Sequence, residues 1–152
     1  MGSNGDLDFL AGLTTEGVKP LSRVEWDLGR EELQTLRALG LRYRKVHRVA
    51  LDGTVVTHVV FSRDASLVDC YHNQFEGTTL VKTPEVIRSE GEFFGFPSCC
   101  VESFIATGES HVPNELSPQD QSLLYHWACP GCRLTPDLVP RYRALWSDQV
   151  LS

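Results

Sequence analysis

Four of the five cysteines lie between positions 99 and 132, as the adjacent pair Cys99-Cys100 and the motif Cys129-Pro130-Gly131-Cys132. Two intervening residues in a C-x-x-C let a tight turn aim both sulfurs at one point, which is the geometry a metal ion or a disulfide requires. An odd count with two neighbours in sequence is a poor pattern for a secreted disulfide framework, so the grouping points to metal binding or reactive sulfur in a reducing compartment. The 28 residues between the pairs fit the two-knuckle logic of a zinc or iron–sulfur site. Staples are not needed for folding, because a chain of 152 residues buries about 70 % of the surface it exposes when unfolded.

Composition narrows the function classes. Hydrophobic residues make up 41 % and charged residues 22 %, an ordinary balance for a soluble globular domain. The net charge of -6 argues against affinity built on neutralising phosphates, so nucleic acid is an unfavoured partner. No apolar run approaches the roughly 20 residues of a membrane span, and the start lacks the basic-then-apolar order of a secretory signal, so a cytoplasmic location is expected. Met1-Gly2-Ser3 reads as a cloning remnant. Residues 1–20 are expected to be a mobile N-terminal segment and 21–152 one globular domain, in the manner of a piece excised from a longer protein.

Local patterns predict an α+β fold, mostly helical, with one β-hairpin at about 43–62 and a cysteine-centred C-terminal helical part. Good helix formers from Arg30 to Leu39 stop at Gly40. The β-branched run from Tyr43 to Phe61 is broken by Asp52-Gly53, which suits a two-residue primed turn. That register places Ala50 opposite Val55, Val49 opposite Val56, and His47 beside His58. Asp64 caps a helical stripe ending at Phe75, and Thr83-Pro84 opens a helix over 84–93. The next helix carries the vicinal cysteines in its first turn and ends at Gly108. Ser117-Pro118 opens a helix expected to run through Trp127 into Cys129, and Thr135-Pro136 opens a last one whose true start Pro140 is able to delay.

Candidate metal ligands are Cys99, Cys100, Cys129, Cys132, His126 and His111. Successive helical residues point about 100° apart, so a regular helix is expected to offer only one of the vicinal thiols to a single ion. Cys100 borders the apolar stripe of Val101, Phe104 and Ile105 and is the preferred ligand, with Cys99 left freer. His126 or His111 would then supply the fourth ligand, whereas an irregular turn from Pro97 to Cys100 admits all four cysteines. The same placement suits catalysis, because a thiol in the first turn of a helix feels its positive end; Cys99 or Cys100 would be the nucleophile and Cys129/Cys132 the resolving pair. Phe93, Phe94 and Phe96 are expected to shield this corner, and Arg42, Arg44, Lys45 and Arg48 to form a solvated strand face. Nucleophile-elbow, P-loop, dinucleotide and zincin motifs are not found.

The stretch Phe94-Gly95-Phe96-Pro97-Ser98-Cys99-Cys100-Val101-Glu102-Ser103-Phe104, followed by the C-x-x-C, resembles a sparsely characterised family of domains of unknown function with a Gly-aromatic-Pro-x-Cys-Cys-Val signature. The resemblance covers roughly positions 91–145 and implies that the paired cysteines matter without assigning an activity. A weaker similarity is to small cysteine-bearing accessory domains of sulfur-incorporating assembly lines, including polyketide synthases, which implies neighbouring biosynthetic domains as partners. Two functions follow as expectations. One is a metal-binding module with Zn²⁺, or an iron–sulfur cluster as the alternative. The other is a thiol-dependent enzyme or sulfur carrier in sulfur-containing natural-product biosynthesis.

Overall fold

A computed structural model describes residues 4–151, with side chains over 5–147. The chain is α+β and mostly helical, with seven helices and one three-stranded antiparallel sheet among the described residues. It divides into two compact units between Val81 and Lys82, where a single domain over 21–152 was expected.

The first unit opens with α1 (Asn4–Thr15), whose Leu7, Phe9, Leu10, Ala11 and Leu13 are buried. The segment expected to be mobile is therefore packed helix over residues 4–15, followed by a turn, while residues 1–3 lie outside the described residues. The chain continues through β1 (Ser22–Val24), α2 (Arg30–Ala38), β2 (Arg42–Val49), β3 (Val55–Ser62) and α3 (Ala65–Phe75). Gly40 at φ 84° ends α2, and Leu41 N–H returns to Leu36 O, so the glycine stop acts as the sequence suggested. Asp64 caps α3 through Ser66 N–H.

The hairpin is present, but its register is one residue from the expected one. Val49 faces Val55, Val46 faces His58 and His47 faces Thr57. The loop holds three residues, not two: Gly53 N–H donates to Ala50 O, Ala50 N–H donates to Thr54 O, and Gly53 adopts φ 88°. That is a type I turn closed by a left-handed residue, an arrangement in which Asp52 also accepts from Thr54 N–H. Because side chains alternate with period two, the slip separates the two histidines onto opposite faces. His47 is exposed and reaches Glu76, whereas His58 is buried and its pKa falls to about 4, chiefly through desolvation.

β1 was not legible in the sequence; it pairs with β3 and makes β3 the central strand, in the order β1-β3-β2. Val59, Val60 and Phe61 are consequently buried in succession, as a strand covered on both faces requires. The basic cluster on β2 is only partly solvated. Arg44 meets Asp69 and Lys45 meets Asp27, but Arg48 is buried, lies over the Phe75 ring and donates to Thr78 O and Thr79 O.

The second unit is helical: α4 (Pro84–Phe94), α5 (Ser98–Ala106), α6 (Pro118–Ser122) and α7 (Thr135–Leu151). Thr83 and Ser117 cap α4 and α6 as their Pro-bearing first turns suggested. Gly95 at φ 77° ends α4, and α5 packs against α4 where Gly91 touches Val101. A Cβ added at Gly91 would stand 2.6 Å from Val101 Cγ2, so this crossing depends on a missing side chain. α6 is much shorter than expected and stops at Ser122. α7 starts at Thr135 and carries Pro140 inside it, at the loss of one backbone hydrogen bond.

Candidate metal centre

The cysteine corner belongs entirely to the second unit and is built from two helix beginnings and one turn. Cys99 and Cys100 occupy the first turn of α5. Cys129 and Cys132 flank a turn in which Cys132 N–H donates to Cys129 O and Gly131 takes φ 74°. Cys132 lies just ahead of α7, and its sulfur accepts the Thr135 N–H at 3.4 Å, much as an N-cap oxygen would.

These elements bring all four sulfurs within 4.8 Å of one another. Cys99 Sγ stands 4.0 Å from Cys100 Sγ, and each of them is 3.5 Å from Cys132 Sγ. All four thiols are free. The expectation that only one vicinal thiol reaches the centre is corrected here. Side chains of a helix tilt toward its N-terminus, so in a first turn two successive thiols bend past the helix end toward a common point. Angular separation around the axis does not forbid this.

Burial of the four is unequal: Cys100, Cys129 and Cys132 are at most 9 % exposed and pack with Ala128 and Leu116, while Cys99 is exposed. Hydrogen bonding is unequal as well. Cys100 Sγ accepts the Cys129 N–H at 3.3 Å and lies 3.7 Å from Thr135 Oγ1. Cys132 Sγ accepts the Thr135 N–H and lies 3.2 Å from the Thr135 hydroxyl. Cys99 Sγ has only the other sulfurs as hydrogen-bond partners among the described residues.

The electrostatics follow these contacts. Burial pushes Cys99 up to about 11 and Cys100 higher still, so the low-pKa thiolate expected in the first turn of α5 is not what its surroundings favour. Burial acts on Cys132 in the same upward direction, yet hydrogen bonds from the Thr135 side chain and backbone, and from Leu134, bring it down to about 7. Like charges so close disfavour ionising neighbouring sulfurs together. A divalent ion would reverse that balance, since thiolates are the ligating form.

Neither candidate histidine joins the sulfur cluster. His126 Nε2 lies 3.1 Å from Thr135 Oγ1 and its ring packs against Phe96, so it stands one hydroxyl behind the sulfurs. His111 stacks flat on Trp127 at 4.4 Å and lies near Phe104. Cys70 is exposed on α3, in the first unit.

Residues that the sequence reading passed over hold the C-x-x-C turn in place. Asn114 donates to Gln121 Oε1 and Ala128 O, and Gln121 in turn accepts Ala128 N–H and donates to His126 O. Glu115 accepts Gly131 N–H at the tip of the turn, and Trp127 donates its indole N–H to Val112 O. The buried Gln121 amide thus satisfies backbone groups in 126–128, which is why the chain can leave helix after Ser122. Thr135 carried the most visible signal, a Thr-Pro three residues after a cysteine, but that dipeptide reads first as a helix start.

No family model, curated protein or solved structure matches the chain. What the corner does therefore rests on its own chemistry: four close cysteines that could hold a metal ion. No helix among the described residues is long and apolar enough to cross a membrane.

Proposed function

We propose that the chain is a zinc-binding module in which Cys99, Cys100, Cys129 and Cys132 hold one Zn²⁺. The observation that carries this reading is the mutual approach of the four sulfurs. A tetrahedral zinc with Zn–S near 2.3 Å sets its sulfurs about 3.8 Å apart. The three separations of 3.5, 3.5 and 4.0 Å bracket that edge, and those to Cys129 are within 4.8 Å. An iron–sulfur cluster places bridging sulfides and further irons between its thiolates and calls for a wider set, which favours a single ion.

The surroundings suit a doubly negative zinc tetrathiolate. Two backbone N–H groups and one hydroxyl point at sulfur, and the positive ends of α5 and α7 lie beside it. The metal would join segments distant in sequence, so its role includes holding the second unit together. The weaker likeness to accessory domains of sulfur-incorporating assembly lines supports placing the module within a larger biosynthetic protein, and the net charge of -6 supports a partner other than nucleic acid.

Elemental analysis of protein purified without added metal, with thiol counting before and after chelation, tests this reading. One equivalent of zinc, with thiols that become reactive on chelation, is the expected result. No metal and freely reactive thiols would overturn it. One observation favours the sulfur-chemistry reading instead: Cys132, which its hydrogen bonds bring down to about 7, has Cys99 and Cys100 each 3.5 Å away as disulfide partners. That reading predicts a metal-free protein in which mild oxidation joins Cys132 to Cys99 or Cys100.

A further inference from the structure

The four sulfurs are not equivalent, and the difference has a functional consequence that rests on the zinc reading. Cys100 and Cys132 are buried and tied by N–H or O–H donors from Cys129 and Thr135. Cys129 is buried within a turn fixed by Asn114, Gln121 and Glu115. Cys99 alone of the four is exposed, and its sulfur's hydrogen-bond partners among the described residues are other sulfurs. Donors to a thiolate stabilise its bond geometry and shield it, and burial denies it to incoming groups. A purely structural zinc site is closed on all sides, whereas a site that reacts keeps one position that can open.

We infer that Cys99 is an exchangeable ligand, and that the metal takes a small external thiol in its place. The exchange balances without an oxidant. The incoming RSH forms an RS–Zn bond, the Zn–S bond to Cys99 breaks, and the proton of the thiol passes to the released Cys99 sulfur. The other three cysteines keep the ion in the protein throughout. The substrate class is a low-molecular-weight thiol, activated by the metal as a bound thiolate.

Alkylation mapping of the zinc-loaded protein with iodoacetamide tests this, with exposed Cys70 as the internal reference for an unprotected thiol. Cys99 should label at least about tenfold faster than Cys100, Cys129 or Cys132 while one zinc stays bound. Cys99→Ala loaded with Co²⁺ should keep its metal and gain sulfur-to-metal charge-transfer absorption when 2-mercaptoethanol is added. Cys132→Ala should lose the metal. Equal protection of all four thiols, or loss of metal from Cys99→Ala as complete as from Cys132→Ala, would overturn the inference while leaving the zinc site standing. A wild-type protein that binds no zinc at all would overturn both.

Discussion

The Thr135 hydroxyl has one proton and three neighbours placed to share its hydrogen bonds: Cys132 Sγ, Cys100 Sγ and His126 Nε2. With a proton on Nε2, His126 donates to Oγ1 and leaves the hydroxyl proton to point at sulfur. Thr135 is fully buried, so this small network works out of reach of water. Thr135→Val keeps the shape and the backbone N–H but removes the O–H. It is expected to weaken metal binding about 10–100-fold, as loss of an outer partner typically does, and Thr135→Ser should restore most of it. Competition titration with a chromophoric chelator measures both, and His126→Ala in the same assay should still bind one metal per chain. The cysteines were legible in the sequence because their side chains can do little else in such a grouping. Thr135, Asn114 and Gln121 were not, because a buried hydroxyl or amide acquires its role only from the partners that folding brings to it.

Elements with a strong local signal formed where the sequence placed them: α2 before Gly40, α3 behind Asp64, α4 between Thr83 and Gly95. The failures have tertiary causes. β1 is three residues long and exists through its pairing with β3, so no run of its own announces it. The hairpin register turned on one residue of loop length, which Asp52-Gly53 alone does not fix. α6 ends early because Gln121 supplies hydrogen bonds to the chain that follows. The crossing of α4 with α5 aims the vicinal cysteines, and it is where a single methyl group should be felt. Gly91→Ala gains helix propensity of up to about 1 kcal/mol, but its Cβ meets the stiff, buried Val101 side chain. Overpacking of this kind costs about 1–3 kcal/mol, so the net effect is a lower melting temperature. The double variant Gly91→Ala/Val101→Ala should recover part of the loss in thermal denaturation; a Gly91→Ala protein as stable as wild type would show that the helices do not meet there.

At the scale of the whole molecule, two units with different sources of stability share one chain. Unit one, through Val81, has a sheet whose central strand is buried from His58 to Ser62 and an extensive apolar core. Unit two, from Lys82, has four helices and a long irregular stretch, and its four clustered cysteines lie where a hydrophobic core would otherwise be expected. Removing a structural metal removes folding free energy from the unit that holds it. Hydrogen exchange read by mass spectrometry should therefore show faster exchange across 98–135 after chelation and unchanged exchange across 42–62. Uniform loosening of both would contradict this division. The local helix and hairpin patterns and the grouping of cysteines were enough to anticipate an α+β fold with a sulfur-rich corner. The division into two units was not, since it depends on which apolar faces find each other.

The central claim is that four sulfurs, and no histidine, surround one metal ion. Zinc-edge X-ray absorption on the purified protein reads that shell directly. Four sulfur scatterers at about 2.3 Å are the predicted result. A shell containing imidazole nitrogen, or a sample with no stoichiometric zinc to measure, would contradict it.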